Sequence, residues 1–134
     1  MIKNKSSTLD KLIKVLVIES DVDLRHILSE LFDLEGYEFK IYEKSVDIVN
    51  LVSTYQPDVV LLDYRLPLVN GGELCDRLKH DRKTNGIPVI IYSASPASAL
   101  PKLSIDYDAF IAKPFDLNEL LSSIENLVRL PRAR

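Results

Sequence analysis

Tryptophan is absent from this chain and cysteine occurs once, at Cys75. A lone thiol excludes an internal disulfide and any multi-cysteine zinc or iron–sulfur site within one chain. It fits a reducing compartment. Long hydrophobic runs are also lacking: no segment approaches the roughly 20 apolar residues of a membrane span. The stretch Met1 to Lys14 carries lysines and serines without an apolar core of signal-peptide length. The expected location is therefore the cytoplasm, with no membrane insertion. Neither sign of charge is in large excess. With 17 basic against 20 acidic residues, a net charge of -3 and a pI near 5.4, there is no general electrostatic reason to expect direct nucleic-acid binding, local basic patches aside. Internal repeats and low-complexity tracts are missing too.

What remains is an ordinary composition, 46% apolar and 28% charged, in 134 residues. That suits one domain able to bury a core without staples. The domain is expected over residues 13–130, with a polar lead-in at 1–12 and a short tail at 131–134. Arg129, Arg132 and Arg134 read as a solvated end. Strand-like and helix-like stretches alternate. Strands are predicted at Lys14–Ile18, Tyr37–Tyr42, Val59–Asp63, Val89–Tyr92 and Asp108–Ala112. Helices are predicted at Val22–Leu34 with Leu24, Ile27, Leu28 and Leu31 inward, at Ser45–Thr54 with Val46, Ile48, Val49 and Val52 inward, and at Gly71–Asp81. A last helix is expected at Leu117–Arg129 behind an Asp116 cap. Between them, Ser95 to Ile105 contains Pro96 and Pro101. An internal proline costs a helix about 3 kcal/mol, so this fourth of five helices is expected to be shortened or irregular. The alternation predicts an α/β fold: a doubly wound, five-stranded parallel sheet in a flavodoxin-like three-layer sandwich.

Parallel strands bring their polar ends together. Val59 to Leu62 is an unbroken apolar run that emerges at Asp63, followed by Tyr64-Arg65-Leu66-Pro67 and the turn signal Asn70-Gly71-Gly72. In α/β proteins that edge is where ligands bind. The other strands end at Glu19-Ser20, at Ser93-Ala94 and at Lys113-Pro114-Phe115. Each signal alone is weak. In this order and spacing they are specific.

Glu19, Asp63 with Leu66-Pro67 and Asn70-Gly71 behind it, Ser93-Ala94 and Lys113-Pro114-Phe115 together make the chain resemble the receiver domain of bacterial response regulators, the single-domain chemotaxis regulator being the simplest relative. The resemblance covers nearly the whole chain. It implies that Asp63 takes a phosphoryl group from a phosphohistidine on a sensor histidine kinase or a histidine phosphotransfer protein. It further implies that Lys113 and Ser93 serve the phosphoryl oxygens, and that signalling to a downstream protein runs through protein contact without an output domain. Magnesium is the implied cofactor, held by Glu19, Asp63 and the backbone carbonyl of Arg65. Lys113–Pro114 is an expected cis peptide, since only bonds to proline adopt cis cheaply. The domain would be no enzyme beyond its own phosphorylation and dephosphorylation. The surface around Ser95 to Ile105 is one through which relatives dimerise or meet partners, which leaves a homodimer open.

Two departures stand out. Most relatives place two adjacent carboxylates after the first strand, the second being the direct metal ligand; here the pair is Glu19-Ser20, which weakens the metal site. Ser20 instead suits an N-cap with Asp23 three positions on. The switch aromatic of the fifth strand is Phe110, paired with Ser93. Without a hydroxyl, its ring is expected to stay inward. A pseudo-receiver, a protein-binding module independent of phosphorylation, is the alternative reading. A haloacid dehalogenase-type phosphatase would need an acid where Arg65 stands, and a flavin binder would need a Ser/Thr/Gly phosphate loop where Glu19-Ser20-Asp21-Val22-Asp23 supplies repulsive charge; both readings are disfavoured. His26 and His80 read as surface residues, and Cys75 as a small core residue.

Overall fold

A computed structural model describes residues 12–94 and 106–129. Nine elements follow in order: β1 (Lys14–Ile18), α1 (Val22–Glu35), β2 (Glu38–Tyr42), α2 (Ile48–Tyr55), β3 (Val59–Asp63), α3 (Gly71–Lys79), β4 (Val89–Ser93), β5 (Ala109–Ala112) and α4 (Leu117–Arg129). The five strands form one parallel sheet in the order β2-β1-β3-β4-β5. This is the doubly wound, flavodoxin-like arrangement expected from the alternation. The predicted irregular helix at 95–105 lies outside the described residues.

Strand alternation divides the core into two halves. Val15 and Val17 of β1, Val59 and Leu61 of β3, and Ile90 and Tyr92 of β4 face α1 and α4, meeting Leu28, Phe32, Leu120 and Ile124. Leu16, Ile18, Val60, Leu62, Val89 and Ile91 face α2 and α3, meeting Ile48, Val52, Leu74, Cys75 and Leu78. All five residues of β3 and all five of β4 are buried, which explains why these strands read as continuous apolar runs rather than alternating ones. The chain leaves β1 for β2 on one side and returns to β3 on the other. The topological switch point thus falls between β1 and β3, where Glu19 and Asp63 emerge.

Local chemistry sets the helix ends and corrects several expectations. The N-cap of α1 is Asp21 and not Ser20. Asp21 adopts an extended conformation and accepts the N–H of Asp23 at 2.9 Å, while its own N–H is drawn to the Glu19 carboxylate at 2.8 Å. The cap therefore falls one residue later than the Ser20–Asp23 spacing suggests. On α1, Ile27 is 45% exposed and Phe32 is fully buried, so Phe32 completes the stripe assigned to Ile27. The helix closes at Gly36, whose φ of 77° lets its N–H reach Asp33 O while Tyr37 N–H bonds Phe32 O. The second helix begins at Ile48, not Ser45, because Asp47 caps it. Val46, predicted inward, is 58% exposed. The third ends at Lys79 rather than Asp81: the Asp81 carboxylate accepts the N–H of Lys83 at 2.8 Å and draws the chain into a turn. Asp116 accepts the N–H of Asn118 at 2.8 Å at the start of α4, as a cap should.

Candidate functional site at the carboxyl edge of the sheet

Parallel register brings the strand ends level. Ile18 pairs with Leu62, Asp63 with Tyr92 and Ser93 with Ala112. Backbone bonding continues one step past the strands, with Tyr64 N–H to Tyr92 O and Lys113 N–H to Ser93 O, both at 2.8 Å. Asp63 and Lys113 are thereby fixed two strands apart with side chains converging. The Lys113–Pro114 peptide is cis. The loop leaving Asp63 is clamped by a close approach: a Cβ on Gly71 would sit 2.3 Å from the Asp63 carbonyl oxygen, and Gly71 N–H bonds Tyr64 O at 2.8 Å. Only glycine lets α3 start so near the end of β3. Asn70 then caps that helix, accepting Glu73 N–H at 2.8 Å.

Three charged groups meet there. Lys113 Nζ lies 3.0 Å from Asp63 Oδ2 and 3.5 Å from Glu19 Oε1, bridging the two acids. Asp63 Oδ1 accepts the N–H of Arg65 at 3.2 Å. Glu19 is fully buried and held at both oxygens: the Tyr92 hydroxyl donates to Oε1 at 2.7 Å and the Asp21 N–H donates to Oε2 at 2.8 Å. Arg25 ties the Glu19 carbonyl at 2.8 Å. Burial, and then repulsion from Glu19, push the Asp63 carboxyl up to about 6, against the opposing pull of Lys113 and the Arg65 N–H. Asp63 is thus ionised at neutral pH at an energetic cost. Burial and the Glu19 charge raise the Tyr92 phenol well above its ordinary value, which keeps it a donor.

Of the residues singled out in the sequence, the structure gathers Asp63, Lys113 and Glu19 into direct contact. Ser93 is fully buried at the end of β4, beside the Asp63–Tyr92 pair. The Arg65 side chain is exposed, with its backbone turned to Asp63. Ser20 is exposed. Phe110 is half-buried, packed on the α2–α3 side of the core and against Tyr107 at 5.9 Å between ring centres, so its ring is less enclosed than an inward position implies. His26 and His80 are exposed and Cys75 is buried, its thiol pushed up to about 12 by burial. Sequence reasoning missed Tyr92. A signal existed, because a phenol inside a strand buried on both faces must find a hydrogen-bond partner.

Among the described residues, no group of three or more His, Cys, Asp or Glu side chains could hold a metal ion. Magnesium often takes only one or two carboxylates with phosphate oxygens and waters. Glu19 and Asp63, joined through Lys113, meet that minimum.

Comparison with known proteins agrees with this geometry. The chain is 32% identical over 120 residues to the response regulator ArlR of Staphylococcus saprophyticus, covering 87% of this chain and 52% of that protein. It is 29% identical over 118 residues to the DNA-binding dual master transcriptional regulator RpaA of Synechocystis, covering 87% and 49%. The chain thus spans about half the length of the curated relatives it matches. Among solved structures, the receiver domain of the sensor histidine kinase PA1611 from Pseudomonas aeruginosa superposes with a TM-score of 0.76 at 20% identity, covering 88% of this chain and 98% of that one; it has a magnesium ion coordinated in its active site cleft. No helix of the described residues is long and apolar enough to cross a membrane. The family model described as the response regulator receiver domain matches residues 15–125, and the chain belongs to that family, a signalling module.

Proposed function

We propose that Asp63 is the phosphoacceptor of this receiver, phosphorylated by a sensor histidine kinase or a histidine phosphotransfer protein in the cytosol, and that the phosphorylated domain signals by protein contact. The observation that carries the reading is the 3.0 Å pairing of Lys113 with a buried Asp63 raised to about 6. Phosphoryl transfer asks a protein mainly to align the reactants and neutralise charge on the phosphoryl oxygens. An Asp63 oxygen attacks phosphorus in line, the bond from phosphorus to the donor imidazole breaks, and the histidine departs with the bonding pair. Lys113 shifts from the Asp63 oxygen to a phosphoryl oxygen, remaining a cation throughout. Ser93 supplies a hydroxyl to a second oxygen. A bound magnesium ion would neutralise further phosphoryl charge, with Glu19, Asp63 and the Arg65 backbone carbonyl as its protein ligands.

With acetyl phosphate and magnesium, the intact mass is expected to rise by one phosphoryl group, and the rise is lost in Asp63→Asn. No gain in the unmodified chain, or a gain retained in the variant, overturns the reading. Glu19 engaged at both oxygens, with Ser20 exposed beside it, is the observation favouring the pseudo-receiver alternative. Under that reading the first result is a null.

A further inference from the structure

In the reaction proposed above Lys113 meets the phosphoryl charge, yet its ammonium sits at the end of a flexible four-carbon stem. Only its backbone is fixed by the sheet, where the Lys113 N–H bonds Ser93 O at 2.8 Å. The nearest partner of Nζ is Asp63 Oδ2 at 3.0 Å, and that partner changes during the reaction, because the carboxylate charge moves out onto phosphoryl oxygens once an Asp63 oxygen bonds phosphorus. A lysine tied to Asp63 alone would be released at that step.

Two further supports stand behind Nζ, and Tyr92 provides one and sets the other. Its ring centre lies 5.0 Å from Nζ, within cation–π range. Its hydroxyl donates at 2.7 Å to Glu19 Oε1, the oxygen that also faces Nζ at 3.5 Å, while the Asp21 N–H holds Oε2 at 2.8 Å. Glu19 is fully buried, so turning its carboxylate would cost a bond that no water replaces. Packing sets the phenol in turn: Tyr92 is buried in one cluster with Val17, Leu61, Ile111 and Leu120, and Phe115 meets its ring edge-on at 5.6 Å and 84°. An aliphatic side chain would fill this place in a strand buried on both faces, but it would supply neither ring face nor hydroxyl. We propose that Tyr92 is a positioning residue for Lys113: its hydroxyl orients Glu19 Oε1 and its ring backs the ammonium, so that Nζ is held at the site independently of Asp63 and pivots to a phosphoryl oxygen instead of leaving. The inference rests on the phosphoacceptor reading for the reaction, and on the geometry alone for the hold.

Nitrogen-15 NMR of the lysine ammonium groups in the full chain, without magnesium or phosphodonor, reads the hold directly, and Lys113→Met identifies the signal. Lys113 should be more ordered than the exposed Lys44 and Lys83. In Asp63→Ala, which removes the nearest partner, its order should fall but stay above theirs; adding Tyr92→Phe should lower it further, and adding Tyr92→Leu should bring it to their level. The hydroxyl acts through Glu19, so Tyr92→Phe should change nothing more once Glu19→Ala is present. A merely structural role would lower stability in urea and leave the Lys113 ammonium as ordered as before. The proposal is overturned by a disordered Lys113 in the unmodified chain, by its full release in Asp63→Ala alone, by order retained in Asp63→Ala with Tyr92→Leu, or by a Tyr92→Phe effect that survives without Glu19. Should Tyr92→Leu fail to fold, Asp63→Ala with Tyr92→Phe decides, and unchanged order there overturns it. Acetyl phosphate labelling with magnesium keeps the two claims separate. Tyr92→Phe should label about tenfold more slowly, the effect of one hydrogen bond to a charged group. Labelling at the full rate in that variant removes the positioning role alone, whereas no labelling of the unmodified chain removes the phosphoacceptor reading and leaves the ammonium order to judge Tyr92.

Discussion

The two edges of the sheet both gather acids and lysines, and they use them in opposite ways. At the amino edge, Asp58 is buried and accepts the Lys14 N–H at 2.8 Å, while Asp108 accepts the Val89 N–H at 2.7 Å and pairs with Lys79 at 2.8 Å. Lys79 is in turn tied to the Ile87 carbonyl at 3.1 Å. These carboxylates replace backbone acceptors that the strand starts lack. At the carboxyl edge, two acids share one lysine, and Asp63 is driven up to about 6. Identical side-chain types fasten strand starts at one end and crowd two carboxylates around one lysine at the other. Backbone N–H groups bond carboxylates at both edges; the difference is the second carboxylate that faces Asp63 across Lys113.

The largest expected break in that contrast comes from Lys113→Met. Removing the one cation between Glu19 and Asp63 should slow phosphorylation by acetyl phosphate about 100-fold, near 3 kcal/mol of transition-state stabilisation, by analogy with deleting one oxyanion donor. Single-turnover labelling measures it. Next is Asp58→Ala, which strands the Lys14 N–H and should cost about 2 kcal/mol in urea unfolding while leaving the phosphorylation rate of the folded fraction unchanged.

Asp63→Asn should do the reverse. Because the folded carboxyl is raised from 3.8 to about 6, its protonated form is the one folding favours. That contribution is fully present below 3.8 and is lost as pH rises through 6, so the unmodified chain carries a buried charge at pH 7.5 that the amide removes. The variant should be more stable there by about 1 kcal/mol, and the advantage should vanish near pH 4. Unfolding curves at the two pH values give the sign.

The smallest effect sharpens the comparison at the loops. Leu68, beyond Asp63, has a φ of 71° and is 73% exposed, so a left-handed backbone is adopted without compensation from packing. Leu68→Gly should raise stability by about 0.5 kcal/mol once the entropy of glycine is set against the strain. At the amino edge Gln56 has a φ of 58°, but its N–H caps α2 and its side chain bonds Ser53 O at 3.1 Å. Gln56→Gly should gain nothing. Thermal midpoints separate the two.

Much of this was legible in the sequence because it depends on period and punctuation. Strands β3 and β4, apolar throughout and ending in Asp63 and Ser93, could be placed nearly to the residue. Asp116 was readable as a cap. What escaped depended on particular contacts, near or distant in the chain, that period and punctuation do not encode. The Asp21 N–H is claimed by Glu19, which moves the α1 cap off Ser20. Gly71 was readable as a turn, but not as the point where a helix start touches the Asp63 carbonyl. The meeting of Tyr92 with Glu19 spans 73 positions, and no local pattern encodes it.

Borohydride reduction tests the central claim most directly, because it converts an aspartyl phosphate to homoserine and so records which residue was modified. After treatment with acetyl phosphate and magnesium, followed by borohydride and peptide mass spectrometry, homoserine is expected at position 63 and at no other aspartate. Homoserine at Asp21 or another position, or its absence throughout, would contradict the account.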